Sequence, residues 1–204
     1  MTQRPSLKYL KSVTVIVSGE SEETGERWIG TGVVVKITSD FTYILTNKHV
    51  VGVGLGVSGV NIKVIDSLSR TCRDAEIVKT HPVVDLAIIK ITGKILGKQA
   101  IKGVAFPKVT EKIYTVGHSL GRLYLYAEGV FSGNMGLYDI YQIPTMWGSS
   151  GSGLFNAQGD LVGMIFALDY DIIGLFFPVI DIAHCRAIPA IYIQNFLKNV
   201  LGSR

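Results

Sequence analysis

Charge is scarce in this 204-residue chain: Asp, Glu, Lys and Arg together make up 18% against 48% hydrophobic residues. So little charge and so much apolar side chain exclude a disordered chain and point to a globular protein. At this length one domain with a sizeable core is expected. Long apolar runs are missing as well. The longest nearly uninterrupted one, Ile172 to Ile180 ("IIGLFFPVI"), falls well short of the roughly 18 residues a membrane span needs, so no transmembrane helix is expected. No signal peptide is visible, because the apolar piece Val13 to Val17 is too brief for a leader core and acids follow it. The expected setting is cytoplasmic or virus- or phage-encoded, unless a leader was removed before the numbering begins. The two cysteines, Cys72 and Cys185, allow one disulfide or two free thiols. Without an export signal, free thiols are preferred. The net charge of +4 is spread along the chain and is not interleaved with aromatics, which leaves a weak attraction to polyanions and no specific nucleic-acid surface.

Short β-type segments fill the chain. Ser12 to Ser18, Trp28 to Ile37, Tyr43 to Thr46, Val60 to Ile65, Ala75 to Lys79 and Leu86 to Ile91 read as strands rich in Val, Ile and Thr. Lys112 to Val116, Leu123 to Ser132, Tyr138 to Ile143, Gly153 to Asn156, Asp160 to Phe166 and Ile172 to Val179 continue the pattern. Helical periodicity is clear only at the carboxyl end, where Ile193, Phe196, Leu197, Val200 and Leu201 form one stripe and Pro189 stands at the expected first turn. An all-β barrel or sandwich closed by a C-terminal helix is the implied class. Two six-stranded halves account for the strand count. A Gly- and Lys-rich linker at about 93–104 would part a first half at about 12–92 from a second at about 105–182, with the helix at about 188–201.

Two serines sit between glycines. In "TVGHSLGRL", Gly117 to Gly121 spells G-x-S-x-G, the nucleophile elbow of lipases and esterases. Asp169 or Asp181 and then His184 follow in the matching chain order. An elbow serine needs a helix behind it, however, and Leu123, Leu125 and Ala127 alternate with Tyr124, Tyr126 and Glu128 at a strand period. A parallel sheet flanked by long helices is missing too. A turn between two strands is the better reading of Gly117 to Gly121.

The second candidate is Ser150 in "MWGSSGSGLFN". Gly148, Gly151 and Gly153 allow tight folding that turns N–H groups toward one point, as an oxyanion requires; the donors would be Gly148 and Ser150, with Ser149 assisting. A hairpin turn is the plain alternative. A serine hydroxyl needs a base that is itself oriented by a third group. His49, at the end of a strand in "YILTNKHVVG", can serve as base, although alone it reads more readily as a structural histidine. Asp85 in "HPVVDLAIIKI" enters an apolar run where a carboxylate needs a partner, and an imidazole N–H suits it. Alone it reads equally as a strand-start cap. Together the three residues form a Ser-His-Asp set in the order His49, Asp85, Ser150, the chymotrypsin order.

On these residues the chain resembles a known family. "GTGVVVKITSDFTYILTNKHVV" is similar to the segment leading to the catalytic histidine in trypsin-like serine proteases of the Deg/HtrA type, and "HPVVDLAIIKI" to their aspartate segment. "YTVGHSLGRLYLYAEGVFSG" resembles their glycine turn and strand pair, "GSSGSGLFNAQGDLVGM" their nucleophile loop, and "GLFFPVIDI" their last barrel strand. The Ser150 to Gly153 form is similar to the glutamyl-endopeptidase and exfoliative-toxin branch. A PDZ module like those of many Deg/HtrA members is not expected.

The resemblance implies two six-stranded antiparallel β-barrels, a chymotrypsin-like double barrel, with the triad in the cleft between them. It also implies a polypeptide substrate cleaved through an acyl-enzyme without cofactor or metal. Thr145 and the strand Ile165, Phe166, Ala167 and Leu168 would line the first specificity pocket. Pro144 stands where a trypsin has aspartate, and Ile165 where glutamyl endopeptidases have histidine. A small or medium hydrophobic residue before the scissile bond is therefore expected. Ser149 stands where zymogen-activated relatives keep an aspartate for a freed amino terminus, so activation by such cleavage is not expected. The rival expectation is a catalytically idle protein of this fold that binds peptides or partners. The apolar, glycine-spaced loop Val50 to Val60 is either a packed insertion or a contact for substrate or partner.

Overall fold

Both faces of the central strands are buried, which explains why "GVVVKI" and "DLAIIKI" run apolar without alternating. Val34, Ile44 and Ile89 point into one cluster with Val15, Val17 and Val64, while their neighbours Val33, Leu45 and Ile88 point into another with Tyr114, Phe155 and Ile188. Successive strand side chains face opposite ways, so a strand between two cores must be apolar on both sides. The computed structural model describes residues 4–56, 59–66, 68–173 and 177–202, with side chains for all of these except Leu120 and residues 168–182.

The first half is one antiparallel sheet of β1 (Thr14–Ser21), β2 (Arg27–Ile37), β3 (Phe41–Thr46), β4 (Val60–Asp66), β5 (Thr71–Asp74), β6 (Glu76–Thr80) and β7 (Ala87–Thr92). Its order is β5-β4-β1-β2-β3-β7-β6. The two edge strands are consecutive in the chain, parted only by Ala75, whose N–H bonds Ile62 O at 2.9 Å. The sheet of seven strands, one more than the six expected, therefore curls into a half-barrel whose edges are joined through the chain at Ala75. The second half comprises β8 (Lys112–Gly117), β9 (Leu125–Asn134), β10 (Asp139–Gln142), β11 (Gly153–Phe155), β12 (Leu161–Ile173) and β13 (Phe177–Pro189). These close into a six-stranded barrel ordered β10-β13-β12-β11-β8-β9. Ile113, Tyr141, Leu154, Val162 and Cys185 fill it. The chain is the all-β double barrel with a C-terminal helix that its sequence implies.

Some elements differ from expectation. The first strand starts at Thr14 because Leu7–Val13 forms α1, a short helix capped by Ser6, whose side chain accepts the Tyr9 N–H at 3.1 Å. Leu10 and Val13, three apart on one face, bury in the core between the barrels. Strand β5 is new, since "TCRD" is too polar to announce an edge strand. The expected strand Ile172 to Val179 spans the end of β12 and the start of β13. Strand β13 continues to Pro189, beyond the expected close near Ile182, because Ala187 and Ile188 still pair with Ile165 and Met164 and are buried. Pro189 accordingly has extended backbone as N-cap (φ -63°, ψ 149°), and α2 runs over Ala190–Leu201. Cys72 is exposed, Cys185 is buried, and neither is in a disulfide. No helix among the described residues is long and apolar enough to cross a membrane.

The barrels are also tied by a buried polar cluster. Lys98, from the connection between them, pairs with Asp66 at the end of β4 at 2.9 Å, each side chain 1% exposed. The Lys98 ammonium also donates to Lys11 O at 2.7 Å, Thr14 O at 2.6 Å and Tyr124 OH at 3.1 Å. Tyr124 OH, from the second half, donates to Asp66 Oδ1. The Ser69 N–H and hydroxyl satisfy Asp66 Oδ2 at 2.9 and 2.6 Å. Burial alone would push the Asp66 carboxyl up, but the donors Lys98, Ser69 and Tyr124 and the Lys98 charge together hold it down to about 2. A depressed carboxyl pKa contributes stability that is present above the unfolded value, near 4, and is lost as pH falls toward 2. We therefore expect Asp66→Asn to lower stability at neutral pH by about 2 to 3 kcal/mol and to flatten the loss between pH 4 and 2. Urea titrations of both proteins across that range check it.

Candidate active site

Strands β3 and β7 pair antiparallel with Thr46 opposite Ala87, so the residues just after Thr46 and just before Ala87 emerge at one end of adjacent strands. This register puts His49 beside Asp85. After β3 the chain makes a single 3-10 turn, His49–Val51, ended by Gly52 at φ 81°. Val50 and Val51, 2% and 1% exposed, pin that turn to the first-barrel core and leave the imidazole at the rim. His49 Nδ1 lies 2.6 Å from Asp85 Oδ2, and the His49 backbone N–H donates to Asp85 Oδ1 at 3.2 Å. Asn47, wholly buried, donates from its side-chain amide to Asp85 O at 2.8 Å. Burial opposes the Asp85 charge, yet the His49 ring and the His49 and Lys48 backbone N–H groups hold its carboxyl below the usual range. An ionised Asp85 fixes the proton on Nδ1 and leaves Nε2 as a free acceptor.

The Ser150 turn belongs to the second barrel but docks on β2 of the first. Thr31 N donates to Ser150 O at 2.7 Å and the Thr31 hydroxyl donates to Gly148 O at 3.2 Å. Gly151 N bonds Ile165 O at 2.8 Å and Ser152 N bonds Ser149 O at 2.9 Å. Only glycine suits position 151, at φ +84°, since a Cβ there would lie 1.8 Å from Thr31 O. Gly148 likewise has a positive φ, 91°. Gly30 brings the His49 and Ser150 turns to one spot, because a Cβ on it would stand 2.6 Å from the Val50 side chain and 3.1 Å from Ser150 O. The Ser149 N–H is spent on Met146 O at 3.0 Å. Of the three expected oxyanion amides, Ser149 is thus engaged within the loop.

Among the described residues the Ser150 hydroxyl meets Phe166 O, at a long 3.5 Å, and not His49. A bulge in β12 explains that carbonyl's freedom. Ile165 and Ala167 pair with adjacent residues of β13, Ala187 and Arg186, so Phe166 has no partner across the ladder. Thr145 is buried, with its hydroxyl turned back to Ile143 O at 3.0 Å. Pro144 and Ile165 line a cavity of about 170 Å³ with Leu125, Met146, Ser149 and Ser152. Phe166 and Ala167 are half-buried beside it in β12. The Leu168 side chain lies outside the described residues, as do those of Asp169 and Asp181. A larger groove, of about 500 Å³, lies between α2 and β2, lined by Val35, Ile101, Asn195 and Leu201, away from these residues.

The elbow reading of Ser119 finds no support in this arrangement. Ser119 leads through one 3-10 turn into β9, and its hydroxyl lies 2.5 Å from Ser149 Oγ. His184 sits in β13 opposite Gln142. Residues that sequence reasoning passed over are Asn47, which braces Asp85, and Thr31, which holds the Ser150 turn. A threonine between two glycines and an amide ending an apolar strand were the available signals.

The family model described as "Trypsin-like peptidase domain" matches residues 30–164. The chain is 30% identical over 149 residues to Serine protease Do-like HtrB of Bacillus subtilis, covering 65% of this chain and 31% of that protein. It is 30% identical over 167 residues to a probable periplasmic serine endoprotease DegP-like of Pseudomonas putida, covering 76% and 33%. The chain thus spans about a third of the length of the curated relatives it matches. Among solved structures, a serine endoprotease from Yersinia pestis superposes with TM-score 0.72 at 20% identity, covering 97% of this chain and 67% of the other. Rv3671c from M. tuberculosis, in an inactive form, superposes at 0.69 with 19% identity, covering 100% and 93%. With the family model spanning the segments that carry His49, Asp85 and Ser150, the chain belongs to the trypsin-like peptidase domains.

Proposed function

We propose that this chain is a serine endopeptidase in which Ser150 is the nucleophile, His49 the general base and Asp85 the group that orients it. The observation that carries the reading is the 2.6 Å His49–Asp85 pair at the rim of the first barrel, with the Ser150 turn docked on the neighbouring strand. A substrate N–H that takes Phe166 O for itself frees the Ser150 hydroxyl to turn to His49 Nε2. His49 then accepts the proton as Oγ attacks the peptide carbonyl, and the charge on its ring is balanced by Asp85. The Gly148 and Ser150 N–H groups receive the oxyanion. His49 next protonates the leaving amine, and water resolves the acyl-enzyme by the reverse steps. Side chains, main-chain N–H groups and water carry the whole scheme.

A fluorophosphonate probe should label wild-type protein at Ser150, and Ser150→Ala should abolish both labelling and peptide hydrolysis. Labelling at Ser119 instead would defeat the assignment. Asp85→Asn keeps the shape but lets the imidazole take the wrong tautomer, so kcat should fall by roughly 10⁴, the scale seen for the same change in trypsin. Stopped assays on purified variants measure it.

The specificity pocket carries Pro144 and Ile165 where a charge reader would need Asp or His, and its lining is mostly apolar. We expect cleavage after small or medium hydrophobic residues in a peptide-library profile. Strong cleavage after Lys or Glu would contradict this.

A further inference from the structure

The turn Gly117 to Gly121 has no nucleophile's surroundings, yet both of its polar side chains are buried, Ser119 against the Ser150 loop and His118 against Thr31. His118 is 0% exposed and Ser119 9%. Ser119 Oγ bonds Ser149 Oγ at 2.5 Å, and Ser149 Oγ in turn accepts the Met146 N–H at 3.3 Å. His118 reaches the loop through Thr31. Its backbone N–H donates to Thr31 Oγ1 at 3.2 Å, its Nδ1 lies 3.4 Å from the same oxygen, and the Thr31 hydroxyl reaches Gly148 O.

A hydroxyl has one proton and two acceptor sites. With the proton on Gly148 O, both contacts from His118 must be donated to Thr31, which fixes the ring as the Nδ1–H tautomer. Nε2 is then the lone-pair nitrogen, and it is the buried ring atom left without a partner among the described residues. Stranding an acceptor is more readily tolerated than stranding an N–H. Burial, aided by the Lys98 charge, holds the His118 pKa down to about 4, so the ring stays neutral as this tautomer requires.

The loop's peptide planes are held from both sides. Gly148 O is held by Thr31 and the Ser149 N–H by Met146 O, which sets the plane between residues 148 and 149. Ser149 O accepts the Ser152 N–H, which sets the next plane and with it the direction of the Ser150 N–H. Ser150 O is held by the Thr31 N–H.

We propose that Thr31, His118 and Ser119 are positioning residues that hold the 148–150 backbone so that the Ser150 N–H is aimed at the oxyanion. None of them touches the reacting atoms. The inference rests on Ser150 being the nucleophile. If it holds, these residues matter more to the tetrahedral state than to substrate binding.

The test is steady-state hydrolysis of a peptide that wild type cleaves, with a peptide aldehyde as a tetrahedral-adduct analogue. Thr31→Val, close in shape, should lower kcat about tenfold with KM within about twofold, and weaken the aldehyde by the same factor, short of the 10²–10³ for losing an oxyanion donor outright. Thr31→Ser should restore both. Ser119→Ala, which leaves Thr31 in place, should lower kcat and aldehyde affinity about threefold, and it carries the test alone if Thr31→Val fails to fold by circular dichroism. Unchanged kcat and aldehyde affinity in the folded variants, with wild type active and Ser150→Ala dead, overturns the positioning role alone. A wild type that neither cleaves nor takes the probe overturns the reading of Ser150, and the inference with it.

Discussion

The candidate catalytic groups are divided between two barrels, so their geometry depends on the contacts of Thr31 across the divide, above all its N–H to Ser150 O bond of 2.7 Å. Both partners are main chain. A main-chain bond cannot change rotamer, and it fixes the loop relative to the strand instead of one side chain relative to another. Strand β2, which supplies it, is hydrogen-bonded on both sides, with Thr31 opposite Ile16 of β1 and Val33 opposite Leu45 of β3. Strand β3 then delivers His49 a few residues later. The Thr46 hydroxyl closes the circuit by bonding Thr31 O at 2.7 Å. Base and proposed nucleophile are thereby referred to the same short piece of sheet.

Such a contact holds only if the barrels do not slide. Apolar packing between them is contributed by alternate residues of the same strands that fill the first barrel, together with Leu10 and Val13 of α1 and Ile193 and Phe196 of α2. Apolar packing is weakly directional and tolerates small shifts. The Asp66–Lys98–Tyr124 cluster is directional. It joins β4, the inter-barrel connection and the approach to β9, and Tyr124 holds a left-handed backbone (φ 54°) to reach it. Removing one partner would leave the other's charge buried, so the cluster resists partial opening.

Much of this was legible in the sequence, for identifiable reasons. Strands with Val, Ile and Thr bounded by turn residues read correctly because both barrels use short antiparallel strands whose local preference agrees with their packing. His49 and Asp85 were legible because each sits next to an apolar strand end, where a polar side chain needs a reason. Strand β5 was not, since an edge strand with one exposed face can be as polar as "TCRD". Helix α1 was not, because seven residues with two buried positions carry too little periodicity. Thr31 was hidden for another reason: its role is set by what lies across the cleft, and no local pattern encodes that.

The motif at Gly117 to Gly121 shows how a false functional spelling can still mark a functional place. Gly121 turns at φ 70° and Gly117 leaves room for Ser152, while Ser119 is buried against Ser149 and His118 against Thr31 and the Tyr124 ring. Their hydrogen-bond partners are the hydroxyls of Thr31 and Ser149, and the His118 imidazole is itself neutral. By the resemblance, Ser149 stands where relatives that await cleavage use a carboxylate, which must be matched by a cation in the interior. A serine there needs only another hydroxyl, and Ser119 provides it at 2.5 Å. Neutral pairs avoid the cost of burying a charge, so the loop can be ordered without an ion pair to a freed amino terminus. Order in the nucleophile loop then follows from the packing of the fold itself.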